Sequence, residues 1–359
     1  MATADGVRCL YMRGGTSKGA YFLAGDLPAD EAERDDLLLR IMGTPDPRQI
    51  DGLGGAHPLT SKVAVVRRSS GDETDVDYIF LQVGVDEAFV TDKQNCGNLL
   101  AAIGPFAVER GLIPAGEKTT TVRIRMVNTN SVATATFATP GGRVDYDGDL
   151  AIDGVPGRAA AISLDFEGTA GSSTGALFPT GRVTDEVGGI TVTCVDNGMP
   201  TVLMRAADLG LTGQESPADL EVDSALGQRL AGIRMHAARL MGMGDVSTAT
   251  VPKLVLLSAP NHGGTISTRS FLPVRVHTSI GVLGALTVGA GVIAEGSVGH
   301  ELADLSAIGT RFSIEHPTGH FDVDVAVEPA GEEWLVTRSA AIRTARKIFD
   351  GTVFPRPRL

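Results

Sequence analysis

Three short segments of this 359-residue chain set small residues beside groups that can carry a proton: Met12-Arg13-Gly14-Gly15-Thr16-Ser17-Lys18-Gly19, Thr60-Ser61-Lys62-Val63 and Asn95-Cys96-Gly97-Asn98. Each lies where an extended apolar run breaks, which is where backbone N–H groups come free to hold a carboxylate. Lys62 precedes Val63-Ala64-Val65-Val66, so its amine is expected at a strand start with little water around it. Loss of water disfavours the ammonium and leaves an amine able to take a proton from carbon. Cys96 is expected to open a helix, where aligned peptide dipoles favour the thiolate. The turn 13–17 adds N–H groups and the hydroxyls of Thr16 and Ser17. Taken singly, these are a strand-end lysine, a small helix-capping residue and a hairpin turn. Together they point to an enzyme acting on a small polyanionic acid.

Further along, Asp196-Asn197-Gly198-Met199-Pro200 interrupts two strands, and Arg269 stands in Thr268-Arg269-Ser270, where a guanidinium could clamp a carboxylate through two parallel bonds. Thr278-Ser279-Ile280-Gly281 opens a second apolar helix. The seven histidines lack HxH or HExxH spacing, so no metal is expected. Segment 13–19 lacks the spacing of a phosphate-binding loop, and there is neither a GxSxG elbow nor a dinucleotide fingerprint. No cofactor is expected.

Positioning such groups takes a sizeable scaffold. The chain is 43% hydrophobic with no long charged or low-complexity tract, enough for two cores. A formal charge of -12 leaves no electrostatic footprint for nucleic acid. Three cysteines without CxxC spacing argue against a disulfide framework and fit a reducing cytoplasm. The N-terminus lacks a signal-peptide pattern, and the longest apolar stretch, 280–294, is broken by glycines and too short to span a bilayer. It reads as a buried helix.

Val, Ile and Thr-rich runs predict strands at 63–66, 78–85, 122–127, 133–137, 190–195, 202–204, 254–257 and 321–327, and apolar spacing predicts helices at 31–42, 98–109, 224–241 and 279–294, with Asp30 as N-cap of the first. The order helix, strand, turn, strand occurs twice, once after Asn95-Cys96-Gly97-Asn98 and once after Thr278-Ser279-Ile280-Gly281. Such an echo predicts two similar lobes whose helix starts face a shared crevice, with the boundary near 179–188.

The motifs Met12 to Gly19, Gln49-Ile50-Asp51-Gly52-Leu53-Gly54-Gly55 running to Lys62, Asn95 to Asn98, Asp196 to Pro200 and His277 to Gly281 resemble those of the PrpF-like isomerases, cofactor-independent relatives of diaminopimelate epimerase. The likeness spans essentially the whole chain. It implies an α+β fold of two similar lobes, each a β-barrel-like sheet wrapped around a central helix: 1–183 with Lys62 and Cys96, 184–341 with the Ser279 helix, and 342–359 returning to the first lobe. In the epimerase relatives a cysteine from each lobe faces the substrate; Cys96 matches the first, but Ser279 stands at the second, which removes a two-thiol mechanism.

The resemblance therefore implies Lys62 and Cys96 as catalytic. It implies Arg13, Gly14, Gly15, Thr16, Ser17, Ser61, Asn95, Gly97, Asn98, Asn197, Arg269, Ser279, Ile280 and Gly281 as substrate-holding. The expected activity is a 1,3-allylic proton shift or keto–enol tautomerisation in the unsaturated tricarboxylate 4-oxalomesaconate, within bacterial breakdown of gallate, protocatechuate or lignin-derived aromatics. The alternatives are 2-methylaconitate cis–trans isomerisation and a non-catalytic accessory role beside a dehydratase. A homodimer is the expected assembly.

Overall fold

The computed structural model describes residues 6–92, 96–247, 249–272, 275–306, 311–331 and 333–358. Two units make up the chain: Met1–Glu167 with Ile342–Leu359, and Gly168–Ala341. The segment 168–183, expected in the N-terminal lobe, thus belongs to the second unit. The Asp196 carboxylate accepts from the backbone N–H groups of Ser173 and Thr174, and Ala170 forms a bridge with Asn197. These bonds tie the segment to the strand that follows it.

The first unit contains strands β1 (Val7–Gly14), β2 (Ser17–Leu23), β3 (Lys62–Arg68), β4 (Val76–Val83), β5 (Val90–Thr91), β6 (Thr119–Met126), β7 (Ser131–Ala138) and β8 (Ala161–Glu167). Its helices are α1 (Glu31–Met42), α2 (Gly97–Leu100) and α3 (Ile103–Glu109). In the second unit lie β9 (Asp185–Val187), β10 (Ile190–Val195), β11 (Thr201–Arg205), β12 (Lys253–Ser258), β13 (Ile266–Leu272), β14 (Arg275–Val276), β15 (Arg311–His316) and β16 (Gly319–Ala330). Its helices are α4 (Pro217–Val222), α5 (Ser224–Leu240) and α6 (Val282–Ile293). The last strand, β17 (Glu333–Val353), begins in the second unit and ends in the first.

Pairing in the first unit runs β1–β2 antiparallel, β2–β3 parallel, β3–β4 antiparallel, β4–β6 parallel, then β6–β7 and β7–β8 antiparallel. Strand β17 pairs with both β8 and β1, which closes an eight-strand barrel. The second unit repeats the sequence: β10–β11 antiparallel, β11–β12 parallel, β12–β13 antiparallel, β13–β15 parallel, β15–β16 antiparallel. Helices α1 and α5 occupy the same place in the two series, and so do the α2–α3 pair and α6. The fold is α+β, of the kind related to diaminopimelate epimerase.

Local chemistry sets the helix ends. The Asp30 carboxylate accepts from the Glu33 N–H at the start of α1, as Asp223 does from Leu226 at α5, and each satisfies an N–H that lacks a helical partner. The helix expected over 98–109 is instead two short ones, α2 and α3, broken at Ala101–Ala102. Pro105 explains the break: it has no N–H to give to the carbonyl four residues earlier, and its ring would crowd that carbonyl, yet it is tolerated in the first turn of a new helix.

Alternation along each strand sorts side chains onto two faces. In the first unit Ala20, Phe22, Val63, Val65, Leu81 and Val83 pack with Leu38, Ile41 and Met42 of α1. The opposite, inner face carries Tyr21, Ala64, Tyr78 and Phe80 toward α2 and α3, where the Tyr21 and Phe106 rings lie 5.8 Å apart. In the second unit Val202, Met204, Leu254 and Leu256 pack with Leu226, Leu230 and Ile233 of α5, while α6 covers the other face.

One charge cluster links three barrel strands. Asp77 on β4 is the direct cross-strand partner of Arg67 on β3 and Arg125 on β6, and its buried carboxylate takes Arg67 Nε at 2.9 Å, Arg125 Nε and Nη2 at 2.8 Å, and the Ser69 hydroxyl at 2.9 Å. Burial alone would raise its pKa, but the hydrogen bonds from Arg125, Ser69 and Arg67 outweigh that and hold it down at about 2. A carboxylate whose folded pKa lies below its ordinary 3.8 stabilises the fold above that value, and loses this effect as pH falls from about 4 toward 2. Asp77→Asn is expected to lower stability at pH 7 by about 2 kcal/mol and to flatten the decline between pH 4 and 2 in denaturant titrations. Equal stability of the two proteins at pH 7 would show that the cluster contributes nothing.

Candidate active site

Lys62 opens β3 on the inner face, and only 7% of it is exposed. Its Nζ lies 4.8 Å from the centroid of the Phe80 ring and donates to Gln82 Oε1 at 2.8 Å. Gln82 is its direct partner across β4, and its own Nε2 donates to the Ser61 carbonyl at 2.8 Å and the Pro58 carbonyl at 3.1 Å, which fixes the amide oxygen toward the amine. On the other side the parallel partner is Gly19: a Cβ there would lie 2.2 Å from the Lys62 carbonyl oxygen. Only glycine lets β2 and β3 approach this closely.

The loop entering Lys62 is held by Gln49, a residue with φ of 45° that donates to Thr44 Oγ1 and Ser61 Oγ and accepts from the Ala56 N–H. Left-handed backbone is costly away from glycine, and the three buried amide bonds hold it in place. Ser61 is therefore a positioning residue. Its hydroxyl is taken by Gln49 and its carbonyl by Gln82, so it does not hold substrate as expected.

Cys96 stands at the N-cap of α2, with no side-chain capping bond, and is buried. The Tyr78 hydroxyl donates to its carbonyl at 3.4 Å, and the Tyr21 hydroxyl donates to the Leu99 carbonyl at 2.9 Å. Both phenols are pushed well above their ordinary pKa, first by burial and then by the neighbouring Cys96 thiol. They flank the cysteine as neutral donors. Tyr78, Phe80 and Gln82 alternate along one face of β4, so Lys62 and Cys96 are served by the same wall. Asn95 lies outside the described residues.

The glycine turn behaves differently from the expectation. The Gly15 N–H goes to the Thr344 carbonyl at 2.9 Å and the Thr16 N–H to Asn98 Oδ1 at 3.4 Å, while Asn98 Nδ2 donates to Thr16 Oγ1 at 3.1 Å. Gly15 has φ of 51°, and a Cβ on it would meet Asn98 Oδ1 at 2.1 Å; one on Gly14 would meet the Asn98 carbonyl at 2.4 Å. These residues lock the turn onto the start of α2, where Gly97 is the first helical residue. Arg13 pairs across the strands with Lys18 and Arg346, on the face opposite Lys62, and its Nη1 donates to the Gly15 and Thr344 carbonyls. It pins the turn. What remains is Ser17, which shares the face of Gly19 and Lys62 and has a buried hydroxyl with no partner among the described residues.

In the second unit Gly281 caps α6 without a side-chain bond, and Ile280 before it is buried. The Ser279 N–H donates to His277 Nδ1 at 2.9 Å, and Ser279 Oγ lies 3.2 Å from His316 Nε2. The Thr318 N–H points at His316 Nδ1 at 3.3 Å. A backbone N–H can only donate, so Nδ1 accepts and Nε2 carries the proton toward Ser279 Oγ. A Ser–His nucleophile would need the reverse arrangement.

Asn197 is fully buried and wholly engaged: Oδ1 accepts from Thr169, Nδ2 donates to the Leu286 carbonyl and Ser339, and its N–H goes to Thr287. It fastens its turn to α6 and is no substrate ligand. Arg269 lies opposite Leu256, on the α5 side of β13, and donates to the Glu215 and Thr268 carbonyls beside a cavity of about 290 Å³. The substrate clamp expected of it is thus largely spent on carbonyls. Among the described residues no cluster of three His, Cys, Asp or Glu could hold a metal ion. Likewise no helix among them is long and apolar enough to cross a membrane. Gln49, Gln82, Tyr21 and Tyr78 escaped the sequence reading; the one signal available was the Gln49 to Gly55 motif.

The chain is 54% identical over 352 residues to a (4E)-oxalomesaconate Delta-isomerase of Novosphingobium sp., covering 98% of each, and 54% identical over 348 residues to a 4-oxalomesaconate tautomerase of Pseudomonas putida, covering 97% and 95%. A 2-methyl-aconitate isomerase of Shewanella oneidensis is 36% identical, with 98% and 97% covered. A crystal structure of methylitaconate-delta-isomerase superposes with a TM-score of 0.89 at 33% identity, over 99% of this chain and 96% of that one. The family model described as PrpF protein matches residues 5–356, and the chain belongs to the PrpF family of isomerases.

Proposed function

We propose that the protein is a cofactor-independent isomerase of 4-oxalomesaconate, moving a proton along its conjugated keto-ene system. The observation that carries this reading is the Lys62 amine, buried over Phe80 and oriented by a neutral amide rather than by a carboxylate. Identity of 54% to relatives named for oxalomesaconate, against 36% for the 2-methyl-aconitate isomerase, favours the keto acid.

Lys62 as free amine takes a proton from the carbon acidified by conjugation, and a dienolate results. Its charge spreads onto keto and carboxylate oxygens, for which the unpartnered Ser17 hydroxyl and the N–H groups opening α2 at Gly97 and Asn98 are the proposed donors. Lys62 or Cys96 then returns a proton at the far carbon. Three buried, unpaired cysteines support a reducing cytoplasmic setting, and exposed Ile348, Phe349 and Phe354 support a homodimer.

Lys62→Met keeps the bulk and deletes the base; turnover of 4-oxalomesaconate, followed by ultraviolet absorbance, is expected to fall by at least roughly a thousandfold. Turnover near that of the wild type would remove Lys62 from the chemistry. Cys96→Ser is expected to lose activity only in part, whereas an unchanged rate and pH profile would show the thiol to be structural. Gln82→Leu removes the oxygen that aims the amine, and kcat is expected to drop roughly 10- to 100-fold with the fold intact. NMR of product formed in deuterium oxide locates the labelled carbon and so separates an allylic shift from tautomerisation.

A further inference from the structure

A chain of hydrogen bonds within the first unit leads from the segment that follows β17 to the residue before Lys62. In Phe354-Pro355-Arg356-Pro357-Arg358 the two prolines fix their own φ and bias the residues before them toward extended backbone, so little freedom is lost in laying the segment along α1. Arg40 of α1 gives its Nη1 to the Arg356 carbonyl at 3.0 Å, and Arg358 Nε lies 3.0 Å from Asp36 Oδ2. Thus held, Arg356 directs its Nη2 to the carbonyl of Thr44, two residues past the end of α1. Its charge also favours the Asp46 carboxylate, which takes the N–H groups of Arg48 and Ile50 in the same turn.

Thr44, Gln49 and Ser61 are buried. The two protons of Gln49 Nε2 go to Thr44 Oγ1 at 3.0 Å and Ser61 Oγ at 2.8 Å. Each hydroxyl keeps one proton to give, and the Gly84 carbonyl oxygen lies 2.7 Å from Thr44 Oγ1 and 3.4 Å from Ser61 Oγ. Gly84 comes two residues after Gln82, and the Val83 N–H goes to the Ser61 carbonyl at 3.2 Å. The knot therefore joins the entry to β3, where Lys62 stands, to the exit of β4, which carries the amide that aims it. In so enclosed a network a donor that moves leaves its partner unpaired, so a shift at Thr44 is passed on rather than absorbed. We propose that Arg356 is a positioning residue for Lys62: by holding the Thr44 carbonyl it steadies the knot that fixes where Lys62 and Gln82 stand. The effect on turnover rests on the reading of Lys62 as the base; the linkage itself does not.

The test measures turnover of 4-oxalomesaconate by Arg356→Met, Arg356→Lys, Thr44→Val, Arg356→Met combined with Thr44→Val, and Arg358→Met, with thermal melts to confirm folding. For Arg356→Met, kcat is expected to fall roughly tenfold with KM within about threefold, since a misplaced base loses rate rather than binding. Arg356→Lys keeps a charge and a donor for the single carbonyl, and its kcat is expected nearer that of the wild type. Thr44→Val keeps the shape but removes the hydroxyl that passes the effect on, so the combined variant is expected to match Thr44→Val alone within about twofold. Arg358→Met removes an exposed ion pair of the same segment and is expected to leave kcat within about twofold. An unchanged kcat in Arg356→Met, no gain on going to Arg356→Lys, losses that multiply in the combined variant, or an equal loss in Arg358→Met would overturn the proposal. Should Arg356→Met not fold, Arg356→Gln, shorter and uncharged but still polar, takes its place with the same outcomes. Proton exchange of the Gln49 and Gln82 side-chain amides, followed by NMR, needs no substrate and is expected to quicken in Arg356→Met but not in Arg358→Met. If the wild type fails to turn over 4-oxalomesaconate, the functional reading falls, while that quickened exchange still supports the linkage, and exchange equal in all three proteins refutes it.

Discussion

Lys62 stands inside the barrel because the strand beside it carries no side chain where the two backbones come closest. With Gly19 as its parallel partner, any Cβ at that position would press on the Lys62 carbonyl oxygen at 2.2 Å. From this single approach the register of the neighbouring strands follows. Ser17 falls two residues before Gly19 and Tyr21 two after, on the same face, and Gln82 falls opposite Lys62 on β4. A slip of one residue would turn the amine to the α1 side, among Val63, Val65 and Leu81, where nothing could accept its protons. Glycine at 19 is thus a condition for the chemistry, although it makes no contact with a reacting atom.

Around that constraint the polar residues divide into those whose bonds are used up within the fold and those with bonds to give. Ser61, Gln49 and Arg13 in the first unit and Asn197 in the second each direct their donors at backbone carbonyls or neighbouring side chains. Burying such groups is tolerable only when they are satisfied, and satisfied groups have little left for a ligand. Ser17 is different: its buried hydroxyl has no partner among the described residues. An enclosed polar group that the fold leaves unpaired costs stability, and a substrate that pairs it recovers that cost on binding.

Periodicity and small-residue motifs made much of this legible in advance. The apolar spacing of 31–42, 224–241 and 279–294 reads as helix because one stripe of each must face a sheet, and α1, α5 and α6 lie there. The repeat was visible as two similar orders of elements, since each unit needs the same turns and the same central helix. Periodicity did not show how the barrel closes, and only the family resemblance implied that the last segment returns to the first lobe: β17 pairs with β1, with Val353 opposite Val7, and its charged, alternating sequence shows no apolar run to announce a strand. Nor could spacing reveal that Gln49 and Gln82 hold the lysine, because an amide's role is fixed by which carbonyl it reaches, and those carbonyls come from residues far along the chain. Arg13 and Asn197 misled for the same reason. Residue type told what bonds they could make, and only the tertiary structure told that the bonds were already made.

The repeat gives two lysines one backbone position and two electrostatic settings. Strand start, parallel neighbour and sheet face are common to Lys62 and Lys253, so the backbone cannot be what distinguishes their roles. The neighbours can. A neutral amide oxygen and an aromatic face orient the first amine without adding charge, which suits a group that must gain and lose a proton during turnover. Lys253 is only half-buried, and burial followed by the charge of Arg234 lowers its pKa to about 8, with a His277 that burial holds below its ordinary pKa as a further neighbour. Epimerases of this fold can set one thiol against another because their two units are alike in chemistry as well as in shape. With Ser279 where the second thiol would stand, the second unit has no thiol at that position, so the proton chemistry rests on the first unit. Asymmetric chemistry on a symmetric frame then needs no change of fold, only a change in what stands beside each amine.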